Sequence, residues 1–289
     1  MPGLHHQAMK RGFGLLNSLV QPILLMVVLG TARSAEPPQR NLACVESLAP
    51  DAELPDLDIC RPAPVSAAEK TLVLASLPAE GEVTSLNRTQ REKLDRVLEA
   101  LRVHARDCVY AVKVVDIGQI TTALVGRVVL LISRPALDFL DAYELEALAA
   151  HEVGHEYVWE EYEAAARDKD ARRQRQLELV CDRVATQTLL RLGIPPTQLT
   201  RGLERALGFN RARFGIALND WRYPTLHERR EVIREVARRS RVLTVGGSGG
   251  MSSAAPAAPD FIARPGDACG GDLLAFGTRQ GRNAACRLF

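Results

Sequence analysis

Apolar positions between residues 86 and 150 follow first a helical and then a strand period. Leu94, Val97 and Leu98 recur at helical spacing and predict a helix over about 90–104, opened by a capping box at Thr89–Glu92. β-branched and aromatic residues predict a strand over 108–116 and a strand pair or hairpin over 121–132. A capping box at Asp141–Glu144 then predicts the start of a second helix.

The second half of the chain carries only helical patterns. The predicted segments are a charged, helix-prone stretch over 156–176, an amphipathic helix from Leu177 that ends at Gly193, a short helix near 197–207, and a helix from the capping box at Thr225–Glu228 to about Arg241. The charged stretch is interpreted as a solvated helix, with a substrate-contacting insertion as the alternative.

The flanks lack such patterns. Residues 36–85 are rich in Pro, Ala and acidic residues, and we expect an extended lead-in with turns. Residues 243–260 read as a Gly/Ser/Ala/Pro linker, and residues 261–289 as a small tail. The sequence therefore predicts a single domain over residues 86–242, and it contains no internal repeats.

The N-terminal 35 residues contain no Asp or Glu. Lys10 and Arg11 precede an apolar stretch over 13–30, and small residues follow it, which is the order of a secretory signal peptide. An uncleaved anchor and a buried core helix are the alternatives. The signal predicts a periplasmic or secreted protein.

Composition is that of an ordinary globular protein, with 46% apolar and 25% charged residues. The net charge of +2 belongs to the N-terminal segment, because removing residues 1–35 leaves 34 basic and 35 acidic residues. Basic residues form no concentrated block, so we expect no nucleic-acid partner. No later segment is long and apolar enough to span a membrane, so we expect a mature chain without a membrane span.

Six cysteines fit an oxidising compartment. Their spacing favours local disulfides between Cys44 and Cys60 and between Cys269 and Cys286, although six cysteines allow 15 pairings. Cys108 and Cys181 would then be paired or remain as buried free thiols.

The segment His151-Glu152-Val153-Gly154-His155 carries the candidate chemistry. Two His four residues apart project from one face of a helix, and both imidazoles can reach one metal ion. Glu152 lies beside them, where a carboxylate can act as general base toward a water molecule. The pattern predicts a catalytic zinc site with one Zn²⁺ per chain.

A catalytic zinc site needs a third protein ligand. Glu178 and Asp182 share one helix face, so Glu178 can supply that ligand while Asp182 accepts a hydrogen bond from a ligand imidazole. Four other residues are rival third ligands, namely Glu160, Glu161, Glu163 and Cys181. For Cys181 the favoured interpretation is a small buried residue that packs the helix.

These residues resemble the gluzincin metallopeptidases of the HtpX and CaaX-prenyl-protease type, over about residues 86–242. The helix leading into the zinc motif and the segment from Glu178 to Ala185 both resemble those of the family. The resemblance implies a mainly helical, zincin-like α+β domain with a small sheet, Glu178 as third ligand and Asp182 as its partner. It also implies that Gly126 and the strand to Ile132 form the edge strand that borders the cleft and aligns the substrate.

The chain departs from the family pattern in two places. Thr121 and Thr122 stand where the family has Asn-Ala. Downstream, Pro224 and Arg229 match, but Tyr223 replaces the family's His. Tyr223 or Arg229 would help to stabilise the tetrahedral intermediate. Plain packing is the alternative for Tyr223, and His227 is the alternative donor.

The sequence therefore predicts a zinc endopeptidase that hydrolyses peptide bonds of extracytoplasmic or envelope proteins. The alternatives are a catalytically silent zinc-binding protein with a structural or partner-binding role, and a zinc hydrolase that cleaves amide bonds in small molecules or cell wall.

Overall fold

The computed structural model describes residue 57 and residues 60–77, 81–215 and 223–246. This part of the chain contains eight helices and three strands, so the predicted mainly helical α+β class is confirmed. In chain order the elements are α1 (Ala67–Ser76), α2 (Arg88–Val103), β1 (Ala111–Val115), β2 (Thr122–Val125), β3 (Val129–Ser133), α3 (Arg134–Phe139), α4 (Ala142–Tyr157), α5 (Trp159–Arg167), α6 (Ala171–Arg191), α7 (Thr197–Phe214) and α8 (Leu226–Gly246).

Reciprocal side-chain caps fix the starts of the main helices. The predicted capping box of α4 is present, with Asp141 accepting from the Glu144 N–H and Glu144 accepting from the Asp141 N–H. The predicted box before α8 is present too, because Thr225 and Glu228 bond each other's backbone amides. The cap of α2 differs from the prediction, since Asn87 and Gln90 form it and the helix therefore starts earlier.

The sheet has the strand order β1-β3-β2. β1 runs parallel to β3, and β2 runs antiparallel to β3, which confirms the predicted hairpin. The edge strand that faces the site is therefore β2, whereas the strand ending near Ile132 lies in the middle of the sheet. The predicted assignment of that central strand as the edge was wrong, because a hairpin pattern alone does not tell which of its strands pairs with β1.

The helix α4 passes through the centre of the molecule. It packs against α2, α6, α7 and β2, and every residue from Glu144 to Gly154 is buried. Small residues occupy much of this helix, including Ala147, Ala149 and Ala150. A helix buried all round has little amphipathic signal, so its neighbours and not its own pattern determine its position.

The crossing of α4 and α6 is very close at Gly154. A Cβ atom added at Gly154 would lie 2.7 Å from Cα and 3.0 Å from Cβ of Cys181. Real side chains do not fit at such separations, so only glycine permits this approach of the two backbones. Cys181 is a buried free thiol that packs this crossing, as the favoured interpretation expected.

Several features of the fold differ from the predicted boundaries, and α6 starts at Ala171, before the predicted start at Leu177. The helix α1 lies inside the segment predicted to be extended, and its Ser66–Glu69 capping box explains its start. α7 continues to Phe214, beyond the predicted short helix. α8 continues to Gly246, and thus four residues into the predicted linker.

Several predictions fall outside the described residues and stay predictions. They concern the signal peptide at 1–35, the disulfide partners Cys44, Cys269 and Cys286, most of the linker at 243–260 and the tail at 261–289. Among the helices of the described residues, none combines the length and the apolar character that crossing a membrane requires.

Candidate metal centre

Side chains from α4 and α6 converge on one point of the interior. His151 and His155 stand one turn apart on α4, and their rings meet edge to face with centroids 5.1 Å apart. Glu178 reaches them from α6, with Oε2 at 3.3 Å from His151 Nε2 and Oε1 at 3.7 Å from His155 Nε2. The three potential ligand atoms all lie within 4.8 Å of one another.

This group can hold a metal ion. Ligand atoms that surround a tetrahedral zinc ion at about 2.0–2.1 Å are separated from one another by roughly 3.4 Å. The two His–Glu separations are close to that value, and the His₂Glu donor set is one that catalytic zinc uses. Within the described residues the group consists of His151, His155 and Glu178, so Glu160, Glu161, Glu163 and Cys181 are not brought to it.

Asp182 and Arg229 support these ligands from behind. His151 Nδ1 lies 2.9 Å from Asp182 Oδ1, as the sequence predicted for the partner of a ligand imidazole. Arg229 donates from one guanidinium nitrogen to both Asp182 oxygens, at 2.7 and 2.8 Å, and from another to Glu178 Oε2 at 3.1 Å. The side chains of His151, Glu178, Asp182 and Arg229 are all buried. Arg229 therefore links the carboxylates of two successive turns of α6.

Tyr162 of α5 completes the environment of Glu178. Its hydroxyl donates to Glu178 Oε1 at 3.0 Å, and its ring meets His155 edge to face with centroids 4.9 Å apart. Burial and the nearby Glu178 charge raise the pKa of Tyr162, so it stays a neutral donor. Each oxygen of Glu178 thus has its own polar partner.

The charges at the centre favour ionised carboxylates around the imidazoles. Burial opposes the charge on Glu178, but the His151 hydrogen bond and the positive charge of Arg229 hold its pKa well below the usual range. Burial lowers the pKa of His155, which favours the neutral form that binds metals. For His151 burial also acts downward, yet Asp182 and Glu178 outweigh it and raise the pKa to about 10.

Glu152, which follows His151 on α4, meets the edge strand β2. The Thr122 hydroxyl donates to Glu152 Oε1 at 2.9 Å, and the Leu124 backbone N–H donates to Oε2 at 3.1 Å. Leu124 uses this N–H for the carboxylate and not for the pairing with β3. The candidate base is therefore held between the ligand helix and the sheet edge.

The remaining predicted residues are placed differently. Tyr223 is half exposed, and its backbone oxygen accepts a hydrogen bond from Arg175. His227 is exposed and lies beside Glu231 at 3.6 Å, and it is not part of the metal group. Arg229 faces Asp182 and Glu178, which is a supporting position behind the ligands.

Sequence reasoning missed Tyr162 and the contact between Thr122 and Glu152. Tyr162 looked like one residue of a charged solvated helix, since nothing in the local pattern ties it to Glu178, 16 positions later. In the sequence, Thr122 stands out only as a departure from the family pattern at the edge strand. The sequence signal for this contact is a polar residue on a short strand, because such a strand can pack against the helix that carries Glu152.

No protein-family model matches this chain. No curated protein matches it either.

Proposed function

We propose that the protein is a zinc-dependent endopeptidase of zincin-like fold. The observation that carries this proposal is the candidate metal group together with the Glu152 carboxylate, which follows His151 in the chain, lies outside that group and is held by the edge strand β2. A structural metal site needs ligands only, whereas a hydrolytic site also needs a base within reach of the attacking water. The resemblance of residues 86–242 to gluzincin peptidases supports the same assignment.

His151, His155 and Glu178 would hold the ion, and Asp182 would keep His151 in the tautomer that presents Nε2. When bound, zinc supplies a positive charge that polarises the scissile carbonyl and acidifies water. Glu152 takes the proton of the attacking water on its carboxylate and gives it to the nitrogen of the leaving amine. The outer edge of β2, apart from the Leu124 N–H that bonds Glu152, would align an extended peptide by backbone hydrogen bonds.

The proposed substrates are extended segments of extracytoplasmic or envelope proteins, in line with the signal peptide predicted at 1–35. Tyr223 remains the proposed donor to the developing oxyanion, because its phenol is half exposed and acts electrostatically on Tyr162, which bonds Glu178. For Arg229 we propose a supporting role behind the ligands, in place of direct contact with the intermediate, because its guanidinium is already shared by two buried carboxylates.

The test compares wild type with Glu152→Gln, using digestion of an unfolded protein and a measurement of bound zinc. We expect wild-type cleavage to stop with a chelator and to return with zinc. Glu152→Gln should keep its zinc but lose cleavage by at least 100-fold, because general-base catalysis contributes roughly 10²–10⁴-fold. Glu163→Gln, a matched change on α5 outside the metal group, should cleave like wild type.

Two results would count against the proposal. Proteolysis that persists in zinc-loaded Glu152→Gln would exclude Glu152 as the base. Chelation that unfolds a protein with no peptidase activity would indicate a structural metal instead.

A further inference from the structure

The carboxylate of Glu152 is held on both oxygens by one strand. Thr122 and Leu124 are two positions apart on β2, and each gives one donor, a side-chain hydroxyl to Oε1 and a backbone N–H to Oε2. In the described residues these are the two hydrogen bonds that the Glu152 side chain accepts. Glu152 itself is 9% exposed, so water has little access to replace either donor.

We propose that Thr122 is a positioning residue for the general base, and that its hydroxyl fixes the direction in which Glu152 presents its free lone pairs. This inference rests on the proposed peptidase function. It gives a task to Thr122, which the sequence marks only as a departure from the family's Asn-Ala.

The geometry explains why one hydroxyl matters. A glutamate side chain has three rotatable bonds, and holding it in one rotamer costs conformational entropy. If the Leu124 N–H were the only donor, the carboxylate could still pivot around the hydrogen bond at Oε2. A second donor on Oε1 prevents this movement. Each carboxylate oxygen has two lone pairs, so one on each oxygen stays available for a proton.

The two donors differ in how they depend on sequence. Every residue other than proline supplies the N–H at position 124, whereas the hydroxyl at position 122 requires Thr or Ser. The side-chain donor can therefore be removed alone, with the backbone of β2 and its pairing with β3 kept. Thr122→Val is nearly isosteric and does this, and Thr122→Ser keeps the hydroxyl.

The experiment uses the full-length chain loaded with zinc and measures kcat and KM on a peptide together with the zinc content. For Thr122→Val we expect kcat to fall about 10- to 100-fold, since small displacements of a catalytic group have effects of this size, while KM and zinc content stay within about twofold of wild type. Thr122→Ser should keep kcat within about threefold of wild type. Thr200→Val, which removes a hydroxyl bonded to a backbone oxygen on α7, is the matched control and should leave kcat unchanged.

A second measurement needs neither metal nor turnover. The Leu124 amide proton reports its hydrogen bond to Glu152, so its NMR shift in the metal-free protein should move in Thr122→Val and stay near the wild-type value in Thr122→Ser.

The outcomes separate the two claims. If wild type cleaves and Thr122→Val keeps its kcat, or if Thr122→Ser is as slow as Thr122→Val, the positioning role is overturned and the peptidase function stands. If the zinc-loaded wild type cleaves no peptide, the proposed function fails, and the positioning role fails with it. A loss of zinc or of folding in Thr122→Val that Thr122→Ser shares would overturn the positioning role as well.

Discussion

Arg229 is the residue whose position most changes the picture of the site. Its guanidinium is buried and bonds the carboxylates of Asp182 and Glu178, which lie one turn apart on α6. Those two carboxylates lie close together, and like charges at such a distance repel each other. The fork geometry of arginine lets one cation neutralise both and fix their orientation.

We expect Arg229→Lys to weaken zinc binding about 10- to 100-fold, because lysine keeps the charge but cannot bond both carboxylates in the same plane. Competition with a chromogenic chelator measures the zinc affinity of each variant. Arg230→Lys is the matched control, since the Arg230 side chain is partly exposed and pairs with Glu204 away from the site. An unchanged zinc affinity combined with a lower kcat would instead favour the oxyanion role predicted from the sequence.

Residue-level prediction from the sequence works where one helix fixes the geometry. His151 and His155 share a helix face at four-residue spacing, and so do Glu178 and Asp182, so each pair could be predicted from spacing. The bond from Arg229 to Asp182 spans 47 positions, and no local pattern contains that information. The family resemblance identified the residue, whereas its supporting position came from the fold.

At the scale of elements, the crossing of α4 and α6 decides whether the ligands meet. Gly154 lies between the two ligand histidines, and the α6 backbone at Cys181 fills the space where its side chain would be. Because Cys181 lies between Glu178 and Asp182, the closest point of the crossing is also the centre of the site. The glycine at position 154 is thus a packing requirement.

Gly154→Ala should push the two helices apart. We expect a loss of about 1–3 kcal/mol in the free energy of unfolding, as for other overpacked cores, and weaker zinc binding. Gly208→Ala on α7 is the matched control, because no atom lies within 4 Å of the added Cβ. That control should gain up to about 1 kcal/mol from helix propensity. Denaturant unfolding of the metal-free proteins measures both changes, and equal stabilities would refute the close-packing argument.

Element boundaries show the same limit on prediction. The sequence predicts the capping boxes of α4 and α8 correctly, because the residues that form a cap lie within four positions of one another. The helix α1 was missed, although Ser66 and Glu69 cap it, because no apolar period follows them and none of its residues is buried. The order β1-β3-β2 depends on a parallel pairing between distant segments, which a hairpin pattern cannot reveal.

At the scale of the whole molecule, His104 joins three helices. It caps the end of α2, and its ring bonds Tyr157 of α4 at 2.8 Å and Thr188 of α6 at 2.7 Å. The Thr188 hydroxyl donates to the Val184 carbonyl, so it accepts from His104 Nε2, while the Tyr157 hydroxyl has two acceptors within reach, His104 Nδ1 at 2.8 Å and the Leu57 carbonyl at 3.3 Å. With its single proton on Nε2, the neutral ring donates to Thr188 and offers Nδ1 to the shorter of the two Tyr157 contacts.

This junction predicts acid sensitivity. Burial and neighbouring arginines lower the pKa of His104 from 6.5 to about 3, so the folded state disfavours its protonation. The stability contributed by neutral His104 is complete above about pH 6.5 and is lost as the pH falls toward 3, at about 1.4 kcal/mol for each unit. Denaturant unfolding of the metal-free protein between these pH values should therefore show a shallower pH dependence for His104→Gln. His227→Gln, at an exposed position, should follow wild type, and a parallel course of all three curves would contradict the assignment.

The central claim is that His151, His155 and Glu178 together bind one zinc ion. Its most direct test is the zinc content per chain, by elemental analysis after equilibration with a small excess of zinc and gel filtration, for wild type, Glu178→Ala and the α5 control Glu163→Ala. We predict one zinc per chain in wild type and in Glu163→Ala, and little or none in Glu178→Ala. Wild type without zinc, or Glu178→Ala with a full equivalent, would contradict the account.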